Sequence, residues 1–223
     1  MHFSSPSYNN NHATTATLSA MELLVLLPIF LYALSAEATI FASVRDTDRR
    51  SLRPGHEYYV LPLIRDHGGG FSLAARSNDT CPLAVAQESS EVSDGLPLTF
   101  SPVNPKDKYV KMSTDLNVWF AAETICVQST VWRLGDAEAA GRRYVVTGGL
   151  KGDPGLATVS NWFKIERYGE SDYKLVHCPS VCRFCKVVCG DVGVFVEGGK
   201  RWLGLSDEPF PVTFKNAAHP VRL

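Results

Sequence analysis

The chain has 223 residues, with 22 Lys and Arg against 23 Asp and Glu, a formal net charge of −1 and 45% hydrophobic residues. That composition excludes a wholly disordered or collagen-like chain, and the near-neutral charge gives no electrostatic basis for nucleic acid or an anionic membrane as main partner. The length is enough to bury a core without staples, so the six cysteines point to an oxidising compartment.

Residues 1–20 are polar and carry no Lys or Arg. An apolar run from Leu23 to Leu34 follows, too short to span a bilayer but suited to the core of a signal peptide. Ala36-Glu37-Ala38 supplies a small-x-small cleavage pattern. Residues 1–38 therefore read as an N-terminal extension and signal peptide, with Met21 as an alternative start, and 39–223 as a single domain. A buried apolar helix is the competing reading of the same run. No second long apolar segment follows, so no membrane span is expected. Asn78-Asp79-Thr80 is an acceptor sequon, which makes Asn78 the candidate glycosylation site of an exported chain.

Beyond residue 39 strand signals dominate: short β-branched and aromatic runs bounded by Gly, Pro, Asn and Asp. They fall at Tyr58–Leu61, Ser72–Ala75, Leu83–Ala86, Leu98–Phe100, Leu116–Ala121 and Thr130–Leu134. Six more follow at Tyr144–Thr147, Trp162–Glu166, Tyr173–His177, Gly193–Val196, Trp202–Leu205 and Val212–Phe214. The best helical stretch, Ala137–Gly141, is about one turn long. Pro97-Leu98-Thr99-Phe100 and Pro211-Val212-Thr213-Phe214 share a pattern, with Trp162-Phe163-Lys164-Ile165 between them. Phe100, Phe163 and Phe214 thus recur at intervals of 63 and 51 residues. Three units of four short strands predict an all-β chain with pseudo-threefold symmetry, a β-trefoil.

Chemistry-bearing motifs are sparse. No Gly-x-Ser-x-Gly elbow, Walker loop, His-Glu-x-x-His or dinucleotide fingerprint occurs, so no enzyme is expected and no cofactor. Gly148-Gly149-Leu150-Lys151-Gly152 lacks the ending of a phosphate loop and reads as a turn. His67, beside Asp66 and Gly68-Gly69-Gly70, could titrate or bind a metal, but an isolated turn histidine is usually inert. Trp119, Trp132, Trp162 and Trp202 read as core or cap packing. The six cysteines allow fifteen pairings. The C-x3-C-x2-C-x3-C spacing of Cys178, Cys182, Cys185 and Cys189 also admits a four-thiolate zinc site, against which export argues.

Three stretches resemble the plant Kunitz inhibitors of the soybean trypsin inhibitor type. The first is Val44-Arg45-Asp46-Thr47-Asp48-Arg49-Arg50-Ser51-Leu52 with Pro54-Gly55 and Tyr58–Pro62, where Arg49 replaces the usual Asp or Gly. The second is Cys81-Pro82-Leu83 with Val85 and Gln87. The third is Tyr173–Pro179 with Cys189-Gly190-Asp191-Val192-Gly193. Arg65-Asp66-His67-Gly68-Gly69-Gly70, Ser129–Leu134, Trp162–Glu166 and Cys178-Pro179-Ser180-Val181-Cys182 are similar to the miraculin-like branch. The resemblance covers 44–216 and implies a disulfide-stapled β-trefoil, secreted to the apoplast, the vacuole or the seed.

It also implies disulfides Cys81–Cys126, Cys178–Cys189 and Cys182–Cys185. All six thiols would then pair within the chain, and a monomer without interchain disulfide is expected. The family's inhibitory loop maps to Ser101–Lys111, a rigid segment that binds a trypsin-like serine protease as a substrate would. Ungapped matching puts Lys106 at the primary specificity position, flanked by Pro105 and Asp107, with Lys108 as the alternative register. Two departures stand out. The asparagine that supports the loop in typical inhibitors is matched by Pro54, and Asp107 would set a carboxylate after the scissile bond. A non-inhibitory defence, storage or receptor-binding role is the alternative.

Overall fold

The computed structural model describes residues 42–64, 66–76, 80–138 and 141–218. The leader reading and Asn78 lie outside the described residues. Twelve strands follow in order: β1 Glu57–Pro62, β2 Phe71–Ala74, β3 Ala84–Gln87, β4 Leu98–Pro102, β5 Leu116–Phe120, β6 Arg133–Leu134, β7 Val145–Val146, β8 Lys164–Tyr168, β9 Asp172–His177, β10 Gly190–Glu197, β11 Lys200–Ser206 and β12 Pro211–Asn216.

Pairing resolves them into a ring and a cap. β1 pairs with β12 and β4, β4 with β5, and β9 with β8 and β12. A bridge between Leu116 and Phe163 joins β5 to the residue just before β8 and closes the six-stranded barrel. The other strands form hairpins β2–β3, β6–β7 and β10–β11. Their returning strands meet pairwise: β3 pairs with β11 and β7, and Tyr144, next to β7, bridges Gly204 of β11. Three equivalent contacts around one axis are the pseudo-threefold symmetry of a β-trefoil, and the closed ring leaves few free edges.

Period-two alternation fills the barrel. Leu116, Val118 and Phe120 of β5 point inward, as do Tyr58 and Val60 of β1 and Val212 and Phe214 of β12; all are buried. The three recurring phenylalanines, Phe100, Phe163 and Phe214, are each 0% exposed. Phe100 meets Phe214 edge-on at 5.6 Å. Trp132 packs among Phe71, Phe120 and Phe163 at 5.8–6.1 Å, and Phe214 of β12 belongs to the same buried cluster, so side chains from all three units share one core.

Strand existence follows the sequence pattern, while the ends move. Thr130–Leu134 shortens to β6, with Val131 contributing only a bridge to Trp119. Trp162–Glu166 shifts to Lys164–Tyr168, because Leu156–Asn161 folds as a 3-10 helix that Trp162 terminates. Trp162 indole N–H donates to Thr158 Oγ1 at 3.3 Å, which seats the ring under that turn. Ala137 and Glu138 are not helical, and the two alanines after them lie outside the described residues. Trp132, Trp162 and Trp202 are buried, whereas Trp119 faces outward from β5 and stacks under the Lys151 ammonium at 4.0 Å.

An ionic cluster ties the three hairpins of the cap. Arg76, just after β2, pairs with Glu138 at 2.8 Å and with Glu197 at 2.9 Å. Its guanidinium lies 3.4 Å from the centroid of the Tyr144 ring. Tyr144 O–H donates to Glu197 at 2.6 Å, and Arg142 pairs with the same carboxylate. The Tyr144 phenol, then Arg76 and Arg142, hold the Glu197 carboxyl down at about 2, against an ordinary 4.5. The depressed group stabilises the fold above the unfolded-state value, and this contribution is lost as pH falls through the folded value. We expect the melting temperature to fall between about pH 4.5 and 2, and Glu197→Gln to flatten that part of the profile in an acid melting series.

The N-terminal signature forms a tight turn. Asp46 Oδ1 accepts from the N–H groups of Asp48 and Arg50 at 3.0 and 2.8 Å, and Arg49 is held at φ 63°. A left-handed conformation suits Gly and, less well, Asp, and strains an arginine. Arg49→Gly relieves that strain at the expense of chain entropy. The net expectation is about 1 kcal/mol, read as a rise of about 2–4 °C in melting temperature.

Candidate functional site

The segment between β4 and β5 leaves the barrel at Pro102 and returns at Leu116. Its two arms are anchored differently. On the outgoing side Val103 N–H donates to Asp115 C=O at 2.8 Å. On the return side the N-terminal segment acts as a strap. Val44 N–H donates to Val110 C=O and Val110 N–H to Leu52 C=O, both at 2.9 Å. Met112 N–H reaches Ala42 C=O at 3.0 Å, and Ser43 bridges Lys111. Val44, Leu52 and Val110 are fully buried, so burial as well as hydrogen bonding fixes this arm.

Asn104 organises the tip. Its C=O accepts from Asp107 N–H at 3.1 Å, closing a β-turn with Pro105 and Lys106 at the central positions. Asn104 Oδ1 accepts from Lys106 N–H and Nδ2 donates to Asp107 Oδ1, each at 3.2 Å. Lys111 Nζ completes the brace at 2.8 Å from Asp107 Oδ1. The Asp107 side chain is therefore only 13% exposed, so its carboxylate is turned into the loop. Pro105, Lys106 and Lys108 are exposed. The structure thus brings Pro105, Lys106, Asp107 and Lys108 together on one braced turn. Lys106 sits within that turn and not in an extended segment.

Pro54 lies behind this tip, in a shallow cleft with Arg53, His56, Asp107, Lys108 and Tyr109. Pro54 followed by Gly55 at φ 77° has the pattern of a type II turn, with His56 N–H reaching Arg53 C=O at 3.3 Å. The cleft holds no amide side chain; Asn104 supplies the bracing from within the loop. The Asn-Pro dipeptide with Asp three residues on is the local signal for that role, an Asx-type turn.

Asp115 joins the loop base to a second element. Its buried carboxylate accepts from Ser180 N–H at 3.2 Å and from Ser180 O–H, with Lys164 Nζ at 3.9 Å. Ser180 lies in the segment clamped by the disulfides Cys178–Cys189 and Cys182–Cys185. Cys81–Cys126 spans 45 residues and closes the longest loop, worth about 4 kcal/mol in the chain-entropy picture. These three bonds consume all six thiols, which removes the zinc alternative. Beneath the clamped segment His177 shares its Nδ1 with Val188 C=O at 3.0 Å, and burial pushes its pKa below the usual 6.5.

Comparison with known proteins gives this geometry a family. Residues 44–216 match the Kunitz (legume) family described as trypsin and protease inhibitor. Miraculin of Synsepalum dulcificum is 47% identical over 194 residues, covering 83% of this chain and 88% of its own. Kunitz trypsin inhibitor 5 of Arabidopsis thaliana is 42% identical over 202 residues, covering 89% and 98%. The solved Kunitz-type cysteine protease inhibitor from potato superposes with a TM-score of 0.71 at 31% identity, covering 81% of this chain and 100% of that one. The family model, the Arabidopsis relative and the potato structure are all described as inhibitors and not as enzymes. A profile match across nearly all of the described β-trefoil, with the N-terminal strap and braced β4–β5 loop inside it, makes the chain a member of the Kunitz-type family of trypsin and protease inhibitors.

Proposed function

We propose that the chain is an endopeptidase inhibitor that offers the loop 101–111 to a trypsin-like serine protease, with Lys106 as the specificity residue. The observation that carries this reading is an exposed lysine on a loop held at both arms and braced at its tip. Affinity then comes from a segment whose ordering entropy is lost before the protease arrives, and no bond is made or broken by the inhibitor. A lysine side chain complements the acid-bottomed pocket of trypsin-like enzymes. Residues 1–38 serve as extension and leader, the 39–223 domain is exported as a monomer to the apoplast, the vacuole or the seed, and Asn78 accepts a glycan. Six thiols paired within one chain fit that route.

One observation favours a second reading, a non-inhibitory miraculin-like role in defence, storage or receptor binding. The Asn104–Asp107 hydrogen bond folds Lys106 into a β-turn, whereas a substrate mimic must be extended where it enters the cleft. Inhibition therefore requires that turn to open on docking. Active-site titration of trypsin with the disulfide-intact protein separates the two readings. Stoichiometric inhibition, weakened about 100-fold or more by Lys106→Ala, supports the inhibitor. A wild-type protein inert at micromolar concentration leaves the second reading standing. Asn104→Ala removes the side-chain brace and should raise the rate of tryptic nicking at Lys106 by about tenfold, read by mass spectrometry of the nicked chain.

A further inference from the structure

The Arg65–Gly70 motif plays no part in the loop, and neither does Gln87. The structure brings His67–Gly70 and Gln87 to one place. Gln87 is 4% exposed, and its amide nitrogen donates both hydrogens, to His67 C=O at 2.7 Å and Gly69 C=O at 2.9 Å. With the amide so oriented, Oε1 accepts from Arg201 Nε at 2.7 Å. A flipped amide would set oxygen against two carbonyls, so the orientation is determined. The glycines make this approach possible. A Cβ at Gly69 would lie 2.3 Å from Ser90 O, and one at Gly70 would lie 2.0 Å from Asp94 O.

Arg201 is thus locked by a buried amide that is itself locked by a glycine-rich turn. Its Nη1 and Nη2 groups have no hydrogen-bond acceptor or acidic partner among the described residues. Arg201 borders a cleft between the end of β1, the end of β8 and the β10–β11 hairpin. Pro62, Ile64, Val194 and Phe210 supply an apolar portion of the wall, which is lined also by Tyr168 and Ser206. The other charged or titratable groups lining the cleft are His67, Tyr168 and Glu208. A planar guanidinium with a free pair of N–H groups matches a carboxylate bidentately. Glu208 disfavours a dianion such as phosphate, and the apolar portion formed by Pro62, Ile64, Val194 and Phe210 gives a hydrophobic body a surface to cover.

We infer that the cleft beside Arg201 binds a small monocarboxylate carried on an apolar ring or chain. The site is separate from the 101–111 loop, and its occupation does not depend on protease inhibition. The probe is 2-naphthoate, titrated into the full disulfide-intact protein by calorimetry, with the neutral 2-naphthamide as its isostere. The expected result is saturable 1:1 binding with Kd of about 0.1–1 mM, at least about tenfold weaker for the amide. Arg201→Gln should weaken naphthoate about tenfold or more. Ile64→Asp, a change at a side chain already 51% exposed, should do the same without threatening the fold. Equal binding of acid and amide, undiminished binding by either variant, or no saturation would overturn the inference.

Discussion

Leu116 and Phe163 exchange a pair of backbone hydrogen bonds, each 2.9 Å long, and through that single bridge the strand ring becomes a barrel. The pair sits where the second unit must meet both the first and itself, and Phe163 is the core residue that touches Trp132 from that side. Were the seam open, β5 and β8 would each present an unpaired edge, and the core aromatics would lose a wall. The functional loop hangs from the same seam. Ser113 N–H bonds to Ile165 C=O at 2.9 Å, and Asp115 next to Leu116 receives both Val103 and Ser180. Barrel closure and the footing of the loop are consequently one structural event.

The two ends of the molecule are held by different physics. The barrel relies on buried aromatic and aliphatic area, which is non-directional and tolerant of strand-end shifts. The cap relies on oriented charge, with Arg76 laid over Tyr144 while two carboxylates and a second arginine surround it. Isolated exposed ion pairs contribute little. Here the Glu197 carboxylate answers three donors at once, and the ring beneath Arg76 keeps that guanidinium from wandering. In the cap, acid sensitivity enters through the Glu197 carboxylate.

Strand number and the threefold plan were legible because period-two alternation and the spacing of Phe100, Phe163 and Phe214 are local or nearly so. Strand ends were not, since Val131 makes only a single bridge, to Trp119, and Phe163 is paired by Leu116 far away in the chain. The 3-10 helix at Leu156–Asn161 escaped because six residues show no helical period and carry no capping side chain. Trp119 looks like core by composition, and only the sheet's facing turns it toward Lys151. At the candidate site the basic residues could be read directly, whereas the inward turn of Asp107 depends on Lys111 and Asn104 together. The Gln87–Arg201 contact joins positions 114 residues apart, beyond the reach of any spacing argument.

The strap across the return arm has a bearing on maturation. Ala42, Val44 and Leu52 supply the hydrogen bonds that stiffen residues 110–112, so the loop inherits its rigidity from a segment that precedes β1. Trimming the amino terminus past Val44 would spare every barrel strand and all three disulfides while releasing that arm. Because Val44 is also a fully buried core residue, loop stiffness and core packing share one residue, and a change there is felt by both.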